Sequence, residues 1–281
     1  MGVTHCNVAV TRGRLVNTLG VVTAAAFAME PLAGRVSRPE LSLLGTWRLT
    51  FGDVVHHLPL SGQRLVAFLS LRGPVDRSQL AGSLWPESSE EHAHGCLRSL
   101  LWRLNKNGLG LVDSDDSSVA LSHTVHVDVT DAIADSNVSI RGGVPGDEGQ
   151  LPRHLLDGEL LPGWYDDWVL IERLRLRQLR LHALEALALT LARQRSFALA
   201  LEAGLAAVRA EPLRESAHRT VIDVHLLEGN VVEALRQADH CRQLLADELG
   251  LDPSPMLTES LPVSRWQSLP RPRREGTDAP A

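Results

Sequence analysis

DRSQLAGSLWPESSEEHAHGCLRSLLWRLNKNG, residues 76–108, is the stretch that decides the fold. Asp76 and Gln79 have the spacing of a capping box, which predicts a short helix that the following proline ends. Ser88 and Glu91 repeat that spacing and predict a longer helix, which the glycine at the end of the stretch terminates. Two helices joined by a short turn are typical of a helix-turn-helix unit.

Extended segments precede this stretch. Three short runs with strand character predict a small antiparallel meander. The runs are residues 41–44, 47–51 and 54–60. Ser61 then stands before a segment in which Leu65, Phe68 and Leu69 share one face, so we expect it to begin a helix that ends near Gly73.

A β-hairpin is predicted after the longer helix. Two extended runs, residues 109–113 and 119–129, are separated by a polar turn at 115–118. Strands, three helices and a hairpin, in that order, predict a winged helix-turn-helix domain over residues 40–135.

The second half of the chain has a helical pattern. Residues 136–152 are rich in Gly, Pro and Ser and predict a linker. Four helices are expected after it, at residues 173–195, 197–210, 213–227 and 231–249. Phe197-Ala198 recurs as Val231-Val232 at an offset of 34 residues, the tetratricopeptide period. We therefore expect a mainly α fold with a small β part, whose second domain, residues 153–261, is all-α and tetratricopeptide-like.

Neither end of the chain has the pattern of a folded core. We expect a poorly ordered extension over residues 1–39 and a disordered tail over 262–281. Residues 19–29, after Arg12 and Arg14, have the outline of a secretory signal, but the interpretation we favour is a true start at Met29. No other run approaches the length of a membrane span, so no membrane association is expected.

Composition and charge exclude several classes of protein. The 281 residues carry a net charge of −6, with 44% hydrophobic and 22% charged residues, which is globular usage and not that of a uniformly basic nucleic-acid binder. The three cysteines form no CxxC pair, which favours a reducing cytoplasm. Residues 41–140 contain seven Lys and Arg against eleven Asp and Glu, a net of −4, so phosphate attraction has to come from a local patch.

The longer helix of the opening stretch has two distinct faces. A rotation of about 100° per residue places five apolar side chains on one stripe, which we expect to be core together with Trp85. They are Ala93, Leu97, Leu100, Leu101 and Leu104. The opposite side carries polar and basic groups that suit a duplex groove, and Gly95 there permits close approach of the backbone.

These outward residues, with two from the hairpin, are the candidate DNA-binding set. The set is His92, Arg98, Ser99, Trp102, Arg103, Lys106, His123 and Thr124. Two plainer interpretations stay open, because a basic helix face is often only solvated and the hairpin residues fit an ordinary edge. Trp102 fits either DNA contact or packing beneath the hairpin.

Several segments resemble one family. Residues 58–104 resemble the DNA-binding domain of SARP-type antibiotic regulatory proteins, and LLPGWYDDWVLIERLRLRQLRLHALEAL at 160–187 resembles the start of a bacterial transcriptional activator domain. PLRESAHR at 212–219 and EGNVVEALRQ at 228–237 resemble later helices of that domain.

The resemblance implies a cytoplasmic transcriptional activator. Its partners would be double-stranded DNA, bound as a homodimer on promoter direct repeats, and RNA polymerase, engaged through a sigma factor or the alpha subunit. Such regulators commonly control secondary-metabolite genes. No cofactor and no catalytic residue are implied.

Two other functions remain as alternatives. An enzyme or metal site would need more than His92 and Cys96, which share a helix face but lack a third ligand, so we expect neither an enzyme nor a metal. The other alternative is a helical-repeat adaptor that binds proteins and carries a vestigial DNA-binding domain. Salt-dependent binding to a promoter fragment separates a regulator from an adaptor.

Overall fold

A computed structural model describes residues 38–146, 150–156, 158–259 and 261. The expectations for the secretory signal, the start at Met29 and the C-terminal tail lie outside the described residues, as does nearly all of the N-terminal extension.

The first sheet confirms the predicted meander and adds a strand to it. Its members are β1 Pro39–Ser42, β2 Arg48–Phe51, β3 Val54–His56 and β7 His126–Val127. The order is β3-β2-β1-β7, with antiparallel pairing within the meander and parallel pairing of β7 with β1. The third predicted run was too long, because a helix already begins at Leu60.

Three helices follow, as expected. They are α1 Leu60–Arg72, α2 Arg77–Leu84 and α3 Glu90–Lys106. Asp76 caps α2 as predicted, since its carboxylate accepts the N–H groups of Ser78 and Gln79 at 2.8 and 3.4 Å. The predictions that Ser61 and Ser88 are caps were wrong. Ser61 already lies within α1, and it is Ser89 whose hydroxyl accepts the third N–H of α3, at 3.4 Å.

The hairpin is shorter than its alternating valines indicated. Strands β5 Val112–Ser114 and β6 Ser118–Leu121 pair, and β4 Val75–Asp76 pairs on the other edge of β6. The predicted strand over residues 119–129 was wrong beyond Leu121, because the chain crosses to the first sheet as β7 and turns into a helix at Asp128. The Asp128 carboxylate fixes this crossing by accepting the N–H groups of Leu43 and Leu44 at 2.9 and 3.0 Å.

Part of the predicted linker is helical. Helix α4 spans Asp128–Ile140, so the predicted domain end at residue 135 falls inside it. Ser136 and Ser139 are buried and donate to the carbonyl oxygens four residues earlier, at 2.7 and 3.0 Å. These serines therefore satisfy their hydroxyls within a helix and do not mark a loop.

The second half is a stack of helices. Its members are α5 Arg153–Leu156, α6 Asp167–Arg193, α7 Phe197–Ala210, α8 Glu215–Glu228, α9 Val231–Leu249 and α10 Pro255–Thr258. The bounds of α7 and α9 are those predicted, whereas α6 begins well before residue 173. Apolar side chains of α6, α7 and α8 share one core, and those of α8, α9 and α10 share another. The mainly α fold class is confirmed.

The two halves are joined by packing and by backbone hydrogen bonds. Trp168 and Val169 of α6 belong to the core of the winged-helix part, where the Trp168 ring meets that of Phe68 edge-on at 5.1 Å. The N–H of Leu161 donates to the carbonyl of Leu43 at 2.9 Å. The start of the helical domain is therefore part of the first core.

Candidate nucleic-acid interface

Helix α3 is oriented by the apolar stripe that the sequence predicts. Ala93, Leu97, Leu100, Leu101 and Leu104 are all at most 5% exposed. Glutamates stand in its first turn and Arg103 and Lys106 in its last, which matches the helix dipole at both ends. The prediction that Trp85 is core was wrong, because Trp85 is only half-buried: it packs against the core with part of its ring and lines a surface groove.

The opposite face of α3 is exposed. His92, Arg98, Ser99, Trp102, Arg103 and Lys106 are all open to solvent. Trp102 is 62% exposed, so it does not pack beneath the hairpin, and the Lys106 Nζ atom lies 4.8 Å from the centroid of its ring. Arg103 donates through Nε to the carbonyl of Ser99 at 3.2 Å, which holds its guanidinium along the helix.

A shallow groove runs beside this face. Its lining includes Arg98, Ser99 and Arg103 from α3, with Ser61 from the start of α1 and Trp85 from the turn after α2. Sequence reasoning did not place Ser61 and Trp85 there, since contacts between three different helices carry no local sequence signal. The groove brings serine hydroxyls, an indole and two guanidinium groups together beside the carboxylate of Glu91, and its hydroxyl and guanidinium groups suit contacts to phosphates and base edges.

Gly95 is not required by the packing of the protein. A Cβ atom built at this position meets only the Arg98 Nη2 atom, at 3.9 Å, within the described residues. The surface of α3 therefore has room for a methyl group at Gly95.

The structure separates the two hairpin candidates from the hairpin tip. His123 and Thr124 are exposed, but they follow the end of β6, at the base of the hairpin. Their carbonyl oxygens accept hydrogen bonds from Arg38 at 3.4 and 2.9 Å. They stay candidate DNA contacts, at a place other than the tip of the hairpin, which is the turn at residues 115–117.

The hairpin tip is acidic. Asp113, Asp115 and Asp116 are exposed there. The Asp115 carboxylate accepts the N–H groups of Ser118 and Ser117 at 2.6 and 2.8 Å, and these bonds hold its pKa far below the usual range. Arg77 fixes the turn from the other side by donating to the carbonyl of Asp115 at 2.6 and 2.9 Å. The tip is thus a rigid turn with negative charge.

The described residues hold neither a metal-binding cluster nor a membrane-spanning helix. They contain no group of three His, Cys, Asp or Glu side chains placed to hold a metal ion, so His92 and Cys96 have no third ligand among them. Within the same residues, no helix is both long and apolar enough to cross a bilayer.

Comparison with known proteins identifies the helical half and supports the fold. Residues 153–261 match the bacterial transcriptional activator domain. Regulatory protein AfsR of Streptomyces coelicolor is 30% identical over 206 residues, which cover 69% of this chain and 21% of that protein. The chain thus spans about a fifth of the length of this curated relative. The structure of Mycobacterium tuberculosis EmbR in complex with a low affinity phosphopeptide has a TM-score of 0.61 at 22% identity, covering 79% of this chain and 63% of that chain, and it shares the fold.

A winged helix with an exposed polar face is followed in this chain by a match to the bacterial transcriptional activator domain, and the relative that the chain resembles is a regulatory protein. These matches support a SARP-type transcriptional regulator.

Proposed function

We propose that this chain binds double-stranded DNA through the exposed face of α3 and activates transcription. The observation that carries the proposal is the orientation of α3, which turns its leucines into the core and leaves Arg98, Arg103 and Lys106 open to solvent. In a winged helix this helix enters the major groove. Arginine donates to guanine edges and phosphates there, and lysine to phosphates.

We further propose that binding occurs on promoter direct repeats, as a homodimer. The net charge of −4 over residues 41–140 limits the phosphate attraction of one copy, so a second copy on an adjacent repeat supplies the missing affinity. The activator-domain match supports engagement of RNA polymerase, through a sigma factor or the alpha subunit, and secondary-metabolite genes are the proposed targets. The proposed location is the cytoplasm.

The proposed binding site is centred on α3. We propose contacts by His92, Arg98, Ser99, Trp102, Arg103 and Lys106, together with Ser61 at the edge of the groove. His123 and Thr124, at the base of the hairpin, are proposed as further contacts outside α3.

The test starts by selecting fragments that the purified full chain retains from its native genome. A gel-shift titration of one such fragment then compares wild type with the Arg103→Ala, Lys106→Ala double variant at several salt concentrations. We expect affinity to fall at least about tenfold and the slope of log affinity against log salt to decrease by about two, because two phosphate contacts are lost.

The matched control is the Arg193→Ala, Arg209→Ala double variant, which removes two exposed arginines from α6 and α7. It should bind like wild type. Failure to enrich any fragment, together with capture of protein partners, would support the adaptor alternative and overturn the proposal.

A further inference from the structure

A cavity lies at the junction of the two halves of the molecule. Its volume is about 480 Å³, within the range of pockets that hold small molecules. The segment after β1 contributes Leu44 to its wall and helix α4 contributes Ala132 and Ser136, whereas helices α5 and α6 contribute the opposite side. The winged-helix part and the helical half therefore share this cavity.

The wall combines apolar side chains with cationic ones. Leu155 and Leu174 are among the leucines that line it. Arg173, Arg177 and Arg180 line it too, and they recur on one face of α6 at helical spacing. Glu159 is the acidic residue among the lining side chains within the described part of the chain. The cavity therefore favours an apolar molecule that carries negative charge.

Arg173 and Arg177 differ in the contacts that they make and in their exposure. Arg173 donates to the carbonyls of Leu160 and Leu161 at 2.9 and 2.6 Å and pairs with Glu159 at 3.0 Å, so its role is to hold the wall together. Arg177 lies nearer the mouth, with its side chain 46% exposed.

Arg177 keeps donors for a ligand. Its contacts to the carbonyl of Ala210, at 3.1 Å, and to Glu211, at 2.6 Å, both use Nη2. Among the described residues these contacts leave the Nε and Nη1 hydrogens of Arg177 for a ligand. A guanidinium edge at the mouth of an apolar cavity is suited to a carboxylate or sulfonate.

We propose that this cavity binds an amphipathic anion, a molecule with an apolar body and one carboxylate or sulfonate group. The apolar body lies between α4 and α6, against Ala132 and Leu155, and the anionic group meets Arg177. This inference does not depend on DNA binding, and its test measures ligand binding directly.

The probe is 1-anilinonaphthalene-8-sulfonate, titrated into the purified full chain and followed by fluorescence, with decanoate and decanol as competitors. We expect saturable binding at one site and displacement by decanoate at concentrations about tenfold lower than by decanol, because only the carboxylate reaches Arg177. Arg177→Gln should weaken dye binding about tenfold, whereas Arg193→Gln, on the same helix outside the cavity, should not.

A second variant tests the apolar part. Ala132→Phe places a ring in the cavity and should abolish saturable binding. Ala134→Phe adds the same ring on the exposed side of α4 and should leave binding unchanged. Circular dichroism melts check that each variant is folded. If Ala132→Phe does not fold, dye binding by Arg177→Gln alone tests the proposal. Absence of saturable binding, equal displacement by decanol, or full binding by Arg177→Gln would overturn the proposal.

Discussion

At the scale of single residues, substitution of Gly95 is expected to have opposite effects on stability and on DNA binding. Nothing among the described residues obstructs a methyl group there, and alanine favours a helix by about 1 kcal/mol over glycine. Gly95→Ala should therefore raise the free energy of unfolding by about 1 kcal/mol and weaken DNA binding, because the methyl group occupies the point of closest approach. Urea denaturation and gel shift measure the two effects. Unchanged affinity would mean that no duplex passes close to this position.

Asp116 at the hairpin tip should oppose DNA binding. Its carboxylate is exposed, and unlike that of Asp115 it has no hydrogen bond within the described turn. Asp116→Asn should strengthen DNA binding a few-fold at low salt, with a smaller gain at high salt, because the repulsion is screened. Asp247→Asn, an equally exposed change on α9, is the control. A loss of affinity would show that the tip makes a favourable contact.

His218 makes the stability of the helical domain depend on pH. The ring is fully buried between α8 and α9, with Nε2 2.8 Å from the carbonyl of Pro212 and Nδ1 2.8 Å from the amide of Gln237. A carbonyl only accepts, so Nε2 carries the proton and Nδ1 accepts from the amide. Burial lowers the pKa of His218 below its usual 6.5.

Because the folded pKa is depressed, the stabilisation is complete above about pH 6.5 and is lost as the pH falls through the folded value. The thermal midpoint of wild type should fall between pH 7 and 5 more steeply than that of His218→Gln. His57→Gln, at an exposed site, should follow wild type. Parallel profiles for wild type and His218→Gln would assign the pH dependence to other groups.

At the scale of elements, Leu101 tests the phase of α3. It is 5% exposed, and its neighbour Trp102 is 62% exposed. Leu101→Ala should lower the free energy of unfolding by about 2–5 kcal/mol, whereas Trp102→Ala should change it by less than about 0.5 kcal/mol. Chemical denaturation of both variants is the measurement. A wild-type-like Leu101→Ala would place the leucine stripe away from the core.

Elements with a strong local period could be predicted from the sequence. Helices α3, α7 and α9 follow from apolar spacing and from their glycine or proline boundaries. Strand β7 could not be predicted, because its pairing with β1 joins residues far apart in the chain. The start of α4 could not be predicted either, because the N–H groups that hold Asp128 there belong to Leu43 and Leu44, far away in the chain.

In the candidate site, too, the features set by local periodicity could be predicted and those set by contacts between distant residues could not. The phase of one helix placed the six outward α3 side chains, and the structure has them exposed. The hairpin turn was also predicted, whereas the contacts of Arg38 with the carbonyls of His123 and Thr124 join residues far apart in the chain and could not be. Ser61 and Trp85 join the groove only through tertiary packing.

At the scale of the whole molecule, the stability of the winged-helix part depends on a residue of α6. Trp168 is 8% exposed and belongs to the same core as Phe68 and Leu65. Trp168→Ala should lower the stability of that part by about 3–5 kcal/mol. Hydrogen exchange at the amides of α1 and α3 is the measurement, because it resolves the two halves. Faster exchange confined to α6 and α7 would show that the halves fold independently.

Composition gave the position of the linker only in part. The Gly, Pro and Ser of residues 136–152 indicated a loop, but α4 extends to Ile140 and Leu151 is buried in the core of the helical half. Amino-acid usage reports solubility and turn preference, and it does not report which surface a segment will cover.

Under the proposed function, the carboxylates of the hairpin tip also govern how the regulator searches a genome. Random sequence offers the same phosphates as an operator, so a charge that repels phosphate shortens every stay on irrelevant DNA. Fewer molecules are then sequestered among the many competing sites, and a low cellular concentration suffices to occupy the few that match.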